Sequence, residues 1–447
     1  MKTPIFDFVR QYADSDVSRF HMPGHKGHPL LGCEALDITE VQGADVLYDA
    51  NSIIAESEQN ATVLFQTTHS FYSTEGSSLC IKAMLGLATA NKKGGKPLIL
   101  AARNVHKAFV YACALLDLDV AWIYPKKNEH LCSCTVSPQD VEQSITVLPQ
   151  LPAAVYLTSP DYLGQVADIK SIAEVCHQYN VPLLVDNAHG SYLQFLNPSD
   201  HPIALGADMC CDSAHKTLPV LTGGAYLHVS KNADPQYCEN ARSMLATFAS
   251  TSPSYLILQS LDLCNRYLAD IYAEKLQSCL QKIEDVKQKI AELGFEAEKA
   301  EPLKLVWSAQ KYGYTGTEMA NLLRENHIEP EFADDTYLVL MVTPETREID
   351  FDRLVSAFSN MKPKPSNIGT DAPQIRKFPH SACSIREAIF SPHESIPIET
   401  SEGRICASPT VSCPPAIPIV ISGEILTKDA IRALAYYGIK TVEVVKE

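Results

Sequence analysis

From about Asp37 to Leu261, short apolar runs alternate with segments whose apolar residues recur every three or four positions. The runs in "KPLILAARN", "VAWIYP", "AAVYLTSP", "VPLLVDNAHG" and "GADMCCDSAHK" each end in polar residues, the pattern of a buried strand opening into a loop. Between them "SSLCIKAMLGLATANKKG", "VHKAFVYACALLDL" and "IKSIAEVCHQYN" carry helical spacing. Strand and helix in turn predict an α/β fold with a mostly parallel, doubly wound central sheet. Ligands of such sheets sit at the carboxyl ends of the strands, so the polar residues just past each run are the site candidates.

The flanks read differently. Residues 1–36 are expected to form an arm and the loop "FHMPGHKGHPLLG", and 37–262 the large domain. "LADIYAEKLQSCLQKIEDVKQKIAELG" predicts one long helix leading into a smaller α/β domain over 263–362. Pro and Gly mark 363–375 as a linker, and 376–447 as a C-terminal α+β domain with two short strands and a helix.

Composition narrows the partners. A formal net charge of −16 argues against nucleic acid or a membrane surface and is compatible with a small cationic substrate. The N-terminus lacks an apolar core of signal length, and runs such as "AIPIVI" are strand-sized, which points to a cytoplasmic protein. The 14 cysteines include C-x-C and C-C pairs without a second matched pair, so reduced buried thiols are expected and no metal site.

The chemistry begins with Asp186, at the predicted tip of the strand "VPLLV". A carboxylate there either caps the following turn or pairs with a protonated ring nitrogen of a bound ligand. Thirty residues on, Lys216 follows the next predicted strand. Alone it reads as a surface lysine. With Asp186 it suits a pyridoxal phosphate site, in which the lysine amine takes the aldehyde and the aspartate keeps the ring protonated as an electron sink. "FYSTEGSSLCIKAML" supplies a phosphate cradle, since small hydroxyl residues and Gly76 precede a helix whose N-terminal N–H groups favour an anion. Glu75 must then point its carboxylate away. Ser213 adds a hydroxyl. His106, again after a strand, either stacks on the ring or caps a helix, and His189 either donates to the ring hydroxyl or is a buried histidine.

At these residues the chain resembles the Orn/Lys/Arg decarboxylase family, fold-type-I pyridoxal phosphate enzymes built like aspartate aminotransferase. The resemblance runs through "FHMPGHKGHP", "DITEVQGADVLYD", "RNVHKA", "TSPDYLGQVADI", "VDNAHG", "DSAHKTLPVLTGGAYLHV" and "ASTSPSYLILQSLD". It continues in "SIREAIF", "GRICAS" and "CPPAIPIVISGE", which are similar to the family's C-terminal domain. The chain looks like the family's short form, without a receiver-like N-terminal domain. The resemblance implies decarboxylation of arginine, lysine or ornithine to a polyamine-pathway amine. Lys216 would hold the cofactor, Asp186 its ring nitrogen, and His106 would stack on its face. His215 would lie near ring and substrate. Thr74, Glu75, Gly76 and Ser77, with Ser213, would hold the phosphate. It also implies a homodimer with the site at the interface, where Ser250 reaches the phosphate of the neighbouring subunit. Four departures stand out. Asn187 replaces the family's usual glutamate, "STEGSS" replaces its Gly-Thr-Thr/Ser loop, Ser422 replaces a proline, and Ala108 replaces the serine of "RNVHKS". None removes a core catalytic residue, though together they leave the substrate open. Glu424 is a candidate for sensing it. Another reaction on the same scaffold, an aminotransferase or aldolase-type lyase, and a non-catalytic relative are the rival readings.

Overall fold

The computed structural model of the chain describes residues 1–90, 95–126, 130–365, 379–411 and 416–447. The predicted linker from residue 366 onward and the first three residues of "CPPAIPIVISGE" lie outside the described residues.

In chain order the elements are α1 (Pro4–Ala13), α2 (Ile53–Phe65), β1 (His69–Ser73), α3 (Gly76–Thr89), β2 (Leu98–Ala102), α4 (Lys107–Leu116) and β3 (Asp119–Ile123). There follow α5 (Pro138–Val147), β4 (Ala154–Thr158), α6 (Ile169–Gln178), β5 (Leu183–Asp186), β6 (Met209–Asp212), α7 (Ala214–Thr217) and β7 (Ala225–Val229). Helices α8 (Pro235–Phe248), α9 (Tyr255–Asp270) and α10 (Tyr272–Glu292) complete this part of the chain. All five predicted strands are present, and the fold is α/β. The chain divides into two compact units: unit one is Met1–Lys93, Ala153–Leu157 and Asp168–Glu274, and unit two is Gly94–Pro152, Thr158–Ala167 and Lys275–Glu447.

Unit one carries the strand order β1-β7-β6-β5-β4. β5 and β6 are parallel, with Asp186 opposite Cys211. β7 runs antiparallel to both its neighbours, β6 and β1. It is the reversed strand of a mostly parallel sheet. Two consequences follow for function. The chain leaves β5 at Asp186 and β6 at Asp212 side by side, so the turns after them share one end of the sheet. Helix α3 packs on β6 and β7, which brings its N-terminus to the residues after β6.

Among the described residues the C-terminal region carries four strands and two helices, not the two strands and one helix expected, because a two-residue strand such as Thr410–Val411 is too short to show as an apolar run. Three further features differ from the sequence expectation. β1 and β7 escaped it because buried polar residues interrupt their apolar pattern: Ser70 and His228 face each other across the pair, with Ser70 Oγ 2.8 Å from His228 Nδ1. The arm contains a helix, α1, opened by Pro4 and anchored by the fully buried Ile5 and Val9 four residues apart. The expected long helix is two, interrupted at Ile271. The break turns Tyr272 inward, where its ring packs on Phe195 and Tyr267 at 5.3 and 5.5 Å.

In unit two β2 and β3 pair in parallel. Strand Tyr337–Met341 pairs antiparallel with Lys304–Ser308 and Phe332–Ala333, accompanied by helices Gly316–Glu325 and Glu348–Ser359. Toward the C-terminus His393–Pro397 pairs with Thr441–Val445 and Thr410–Val411 with Pro418–Val420. These strands and helix Lys428–Tyr436 close over Ile398, Cys406, Val420, Leu434 and Val444.

The polar centre of this C-terminal region is an ion pair. Arg103, just past β2, donates to Glu424 Oε2 at 3.1 Å and to the carbonyls of Pro418 and Ile419. Glu424 Oε2 also accepts from Ile421 N at 2.7 Å. Both side chains are almost wholly buried, 4% and 2% exposed. Burial pushes the Glu424 carboxyl up, and Arg103 opposes that rise. Breaking such a pair leaves an uncompensated buried charge. Glu424→Gln therefore lowers the stability of unit two by about 3 kcal/mol. Both tryptophans, Trp122 and Trp307, lie in this unit, so urea unfolding followed by their fluorescence reads the loss directly.

Among the described residues no helix is long and apolar enough to cross a membrane. The described cysteines are free thiols, most of them buried.

Candidate active site

Unit one brings most of the sequence-predicted residues to one end of its sheet. Beyond β6 the chain turns through Ser213, the N-cap residue of α7, whose single turn carries His215 and Lys216. Lys216 Nζ lies 3.1 Å from His189 Nε2. His215 Nδ1 is 3.0 Å from the Gly224 carbonyl, which can only accept, so Nδ1 carries the proton and Nε2 the lone pair. Burial lowers the His215 pKa, and the neighbouring Lys216 lowers it further, while the Gly224 bond opposes both. Both effects favour the neutral ring, whose Nε2 lone pair can take a proton.

Asp186 ends β5 and is 2% exposed. Its Oδ2 accepts from the Tyr156 hydroxyl at 3.2 Å. Its Oδ1 accepts from Ala188 N at 3.2 Å and from the Cys211 thiol at 3.7 Å. The Ala188 bond is the local turn contact anticipated for an aspartate at a strand tip. Tyr156 and Cys211 are the part sequence reasoning missed. Cys211 stands opposite Asp186 in the β5–β6 register, a pairing that only the sheet creates.

The hydroxyl-rich stretch forms the start of α3. Gly76, at φ +70°, opens the helix, and a Cβ added there would meet nothing within 4 Å. Its amide donates to Gly223 O at 2.7 Å. The Ser73 hydroxyl accepts from Glu75 N at 3.1 Å and donates to Gly76 O at 3.0 Å, shaping the turn. Gly223 supports it from behind, at φ +100°, where a Cβ would press to 2.9 Å from the Thr74 carbonyl. The Ser213 and Ser77 hydroxyls meet at 2.8 Å. Glu75, the N-cap residue, makes no capping bond. Its carboxylate turns away and accepts from Ser250 N at 2.7 Å, within the same chain. Thr74 is buried beside them.

His106 belongs to unit two, where its Nδ1 accepts from Ala108 N at 3.1 Å and caps α4. The helix-capping role expected of a lone histidine is realised there. Glu424 is held by Arg103 and Ile421 as described above.

These groups fit pyridoxal phosphate by the chemistry of their donors. A lysine amine stands beside a histidine nitrogen. A buried carboxylate on the adjacent strand accepts hydrogen bonds from its neighbours. Two hydroxyls meet at the N-terminus of a 14-residue helix that no acidic side chain caps. The Thr217 hydroxyl, next to Lys216, is buried without a hydrogen-bond partner among the described residues.

Comparison with known proteins places the chain in a family. Residues 3–309 match the major domain of the Orn/Lys/Arg decarboxylases, and residues 369–443 match their C-terminal domain. An arginine decarboxylase of Bacillus subtilis is 29% identical over 96% of this chain and 92% of its own. One from Bacillus anthracis is 30% identical over 96% and 91%. Among solved structures, the lysine decarboxylase LdcF of Francisella novicida superposes with a TM-score of 0.81 over 99% of this chain and 81% of that one, at 15% identity.

Proposed function

The chain belongs to the Orn/Lys/Arg decarboxylase family, pyridoxal phosphate-dependent decarboxylases, and on that premise we propose that it removes the α-carboxylate of arginine, lysine or ornithine, releasing CO2 and the corresponding amine. The observation that supports this reading most directly is the placement of Asp186 at the end of β5 and of Lys216 in the turn just past the neighbouring parallel strand β6, within one unit.

Bound there, pyridoxal phosphate supplies an electron sink for the pair released when the bond between Cα and the carboxylate breaks. Lys216 would hold the aldehyde through Nζ. Asp186, itself oriented by Tyr156 and Cys211, would keep the ring nitrogen protonated. Ser77, Ser213 and the α3 amides that follow Gly76 would bind the phosphate. The carbon that loses its carboxylate needs one proton, and the His215 Nε2 or Lys216 Nζ position delivers it. His189, whose Nε2 lies 3.1 Å from Lys216 Nζ, would donate to the ring hydroxyl. The protein works as a cytoplasmic homodimer with its sites at the interface, Ser250 of each subunit reaching the phosphate of the other.

A decarboxylation screen of arginine, lysine and ornithine, with CO2 and product amine both measured, tests the reading. One of the three yields stoichiometric CO2 and amine. Formation of a keto acid without CO2 from every one of them rejects it. The phosphate assignment has its own measurement. Ser77→Ala and Ser213→Ala each weaken pyridoxal phosphate binding roughly tenfold, as expected for a lost hydrogen bond to a charged group. Because the two hydroxyls touch, their effects in the double variant are less than additive. Titration of the apoprotein with cofactor gives both numbers.

A further inference from the structure

Behind the Asp186 turn lies a polar cluster that the mechanism above does not use. Asp212, the last residue of β6, is fully buried. Its Oδ2 accepts from His201 Nε2 at 3.1 Å and from His228 Nε2 at 3.3 Å. Its Oδ1 accepts from Asn187 Nδ2 at 2.7 Å. The partners are held in turn. His228 Nδ1 meets Ser70 Oγ at 2.8 Å, and Ser70 meets Thr67 at 2.8 Å. His201 Nδ1 accepts from Ile203 N at 3.4 Å.

His201, Cys210 and Asp212 lie close enough together to suggest a cation site. The hydrogen bonds argue otherwise. An Nδ1 that accepts from Ile203 leaves the proton on Nε2, and Nε2 gives it to Asp212, so His201 has no lone pair facing the carboxylate. The cluster instead reaches the Asp186 turn through Asn187. This residue follows Asp186, its amide donates to Cys211 O at 3.0 Å, and its side chain is wholly buried. Its orientation is dictated by Asp212, since the flipped amide would set oxygen against carboxylate oxygen. Its Oδ1 packs where a Cβ on Gly190 would come to 2.0 Å, so the same side chain pins the turn through His189 and Gly190. A glutamate here, as the family usually carries, would place two carboxylates together in a buried site.

We propose that Asp212, held by His201 and His228, is a positioning residue that fixes the turn Asp186–Gly190 through Asn187, and so sets Asp186 and His189 for the cofactor. The inference rests on the cofactor reading given above. It makes Asn187 and Asp212 a matched donor and acceptor, exchangeable only as a pair.

The test is a reciprocal swap read by the dissociation constant for pyridoxal phosphate of the apoprotein, beside the apoprotein melting temperature. N187D is isosteric but sets carboxylate against carboxylate, and it weakens cofactor binding at least about tenfold. The double variant N187D/D212N re-forms the bond with donor and acceptor exchanged, and brings the constant back to within about threefold of the unaltered protein. Should N187D fail to accumulate, D212N replaces it: the double variant then binds at least about threefold tighter than D212N alone. Additive losses in the double variant overturn the inference. So does a fall in melting temperature with cofactor affinity unchanged, which is what a merely structural cluster would give. If the unaltered protein itself binds no pyridoxal phosphate, the cofactor reading fails instead.

Discussion

Lys216→Ala abolishes the visible absorbance of the lysine-bound cofactor and lowers decarboxylation by roughly 10⁴-fold or more. The effect is large because one amine does two things. It anchors the aldehyde, and it is one of two nitrogen positions that return a proton to the reacting carbon. The surroundings of Lys216 single it out. Nζ lies within hydrogen-bond distance of His189, and the turn that carries it is braced by Ser213 and by the His215–Gly224 bond. Lys216→Arg keeps a positive charge and a long side chain but offers no amine of ordinary basicity, so it behaves like the alanine variant in both measurements. Phosphate binding through Ser77 and Ser213 persists in both variants, and cofactor is retained without the band. An unchanged band in Lys216→Ala sinks the assignment.

Asp186→Ala lowers kcat about 10³-fold, the size expected when a preorganised charge facing the reacting system is lost. The carboxylate is buried and accepts from Tyr156, Ala188 and Cys211, so truncation also removes a buried acceptor. Asp186→Asn separates the two effects. It preserves volume and can still accept from Ala188 N, yet removes the charge. If the charge matters, Asp186→Asn loses nearly as much kcat as Asp186→Ala while its apoprotein melts close to the unaltered protein. If Asp186 serves only to close the local turn, Asp186→Asn retains near-normal turnover, and that result would rule out its role at the ring nitrogen.

The five predicted strands were readable along the chain because each is a short apolar run ended by polar loop residues. β1 and β7 were not. Their interior positions include Ser70 and His228, which become tolerable inside because they bond each other and further buried partners, Thr67 and Asp212. The same logic separates the site residues. Lys216, Asp186 and the hydroxyls before α3 announce themselves by standing just past apolar runs. Tyr156 and Cys211 carry no such mark, since each lies inside a strand and gains meaning from the strand beside it. Asn187 was visible as a departure from its family. That Asp212 is its counterpart appears only once β5 and β6 lie together, 25 residues apart in sequence and 2.7 Å apart at their side chains.

The sequence by itself determined the α/β class, the order of most strands and helices, the family and the cofactor. Those depend on local periodicity and on motifs, which a linear chain carries intact. Tertiary structure alone decided which of the candidate site residues meet. It turned the Glu75 carboxylate away to Ser250, left a lone pair on His215 Nε2, gave Glu424 to Arg103, and joined Asn187 to Asp212. The physical reason is that a buried polar group takes its role from whichever donors and acceptors the packed sheet and loops place within about 3 Å of it, and sequence separation does not encode that distance.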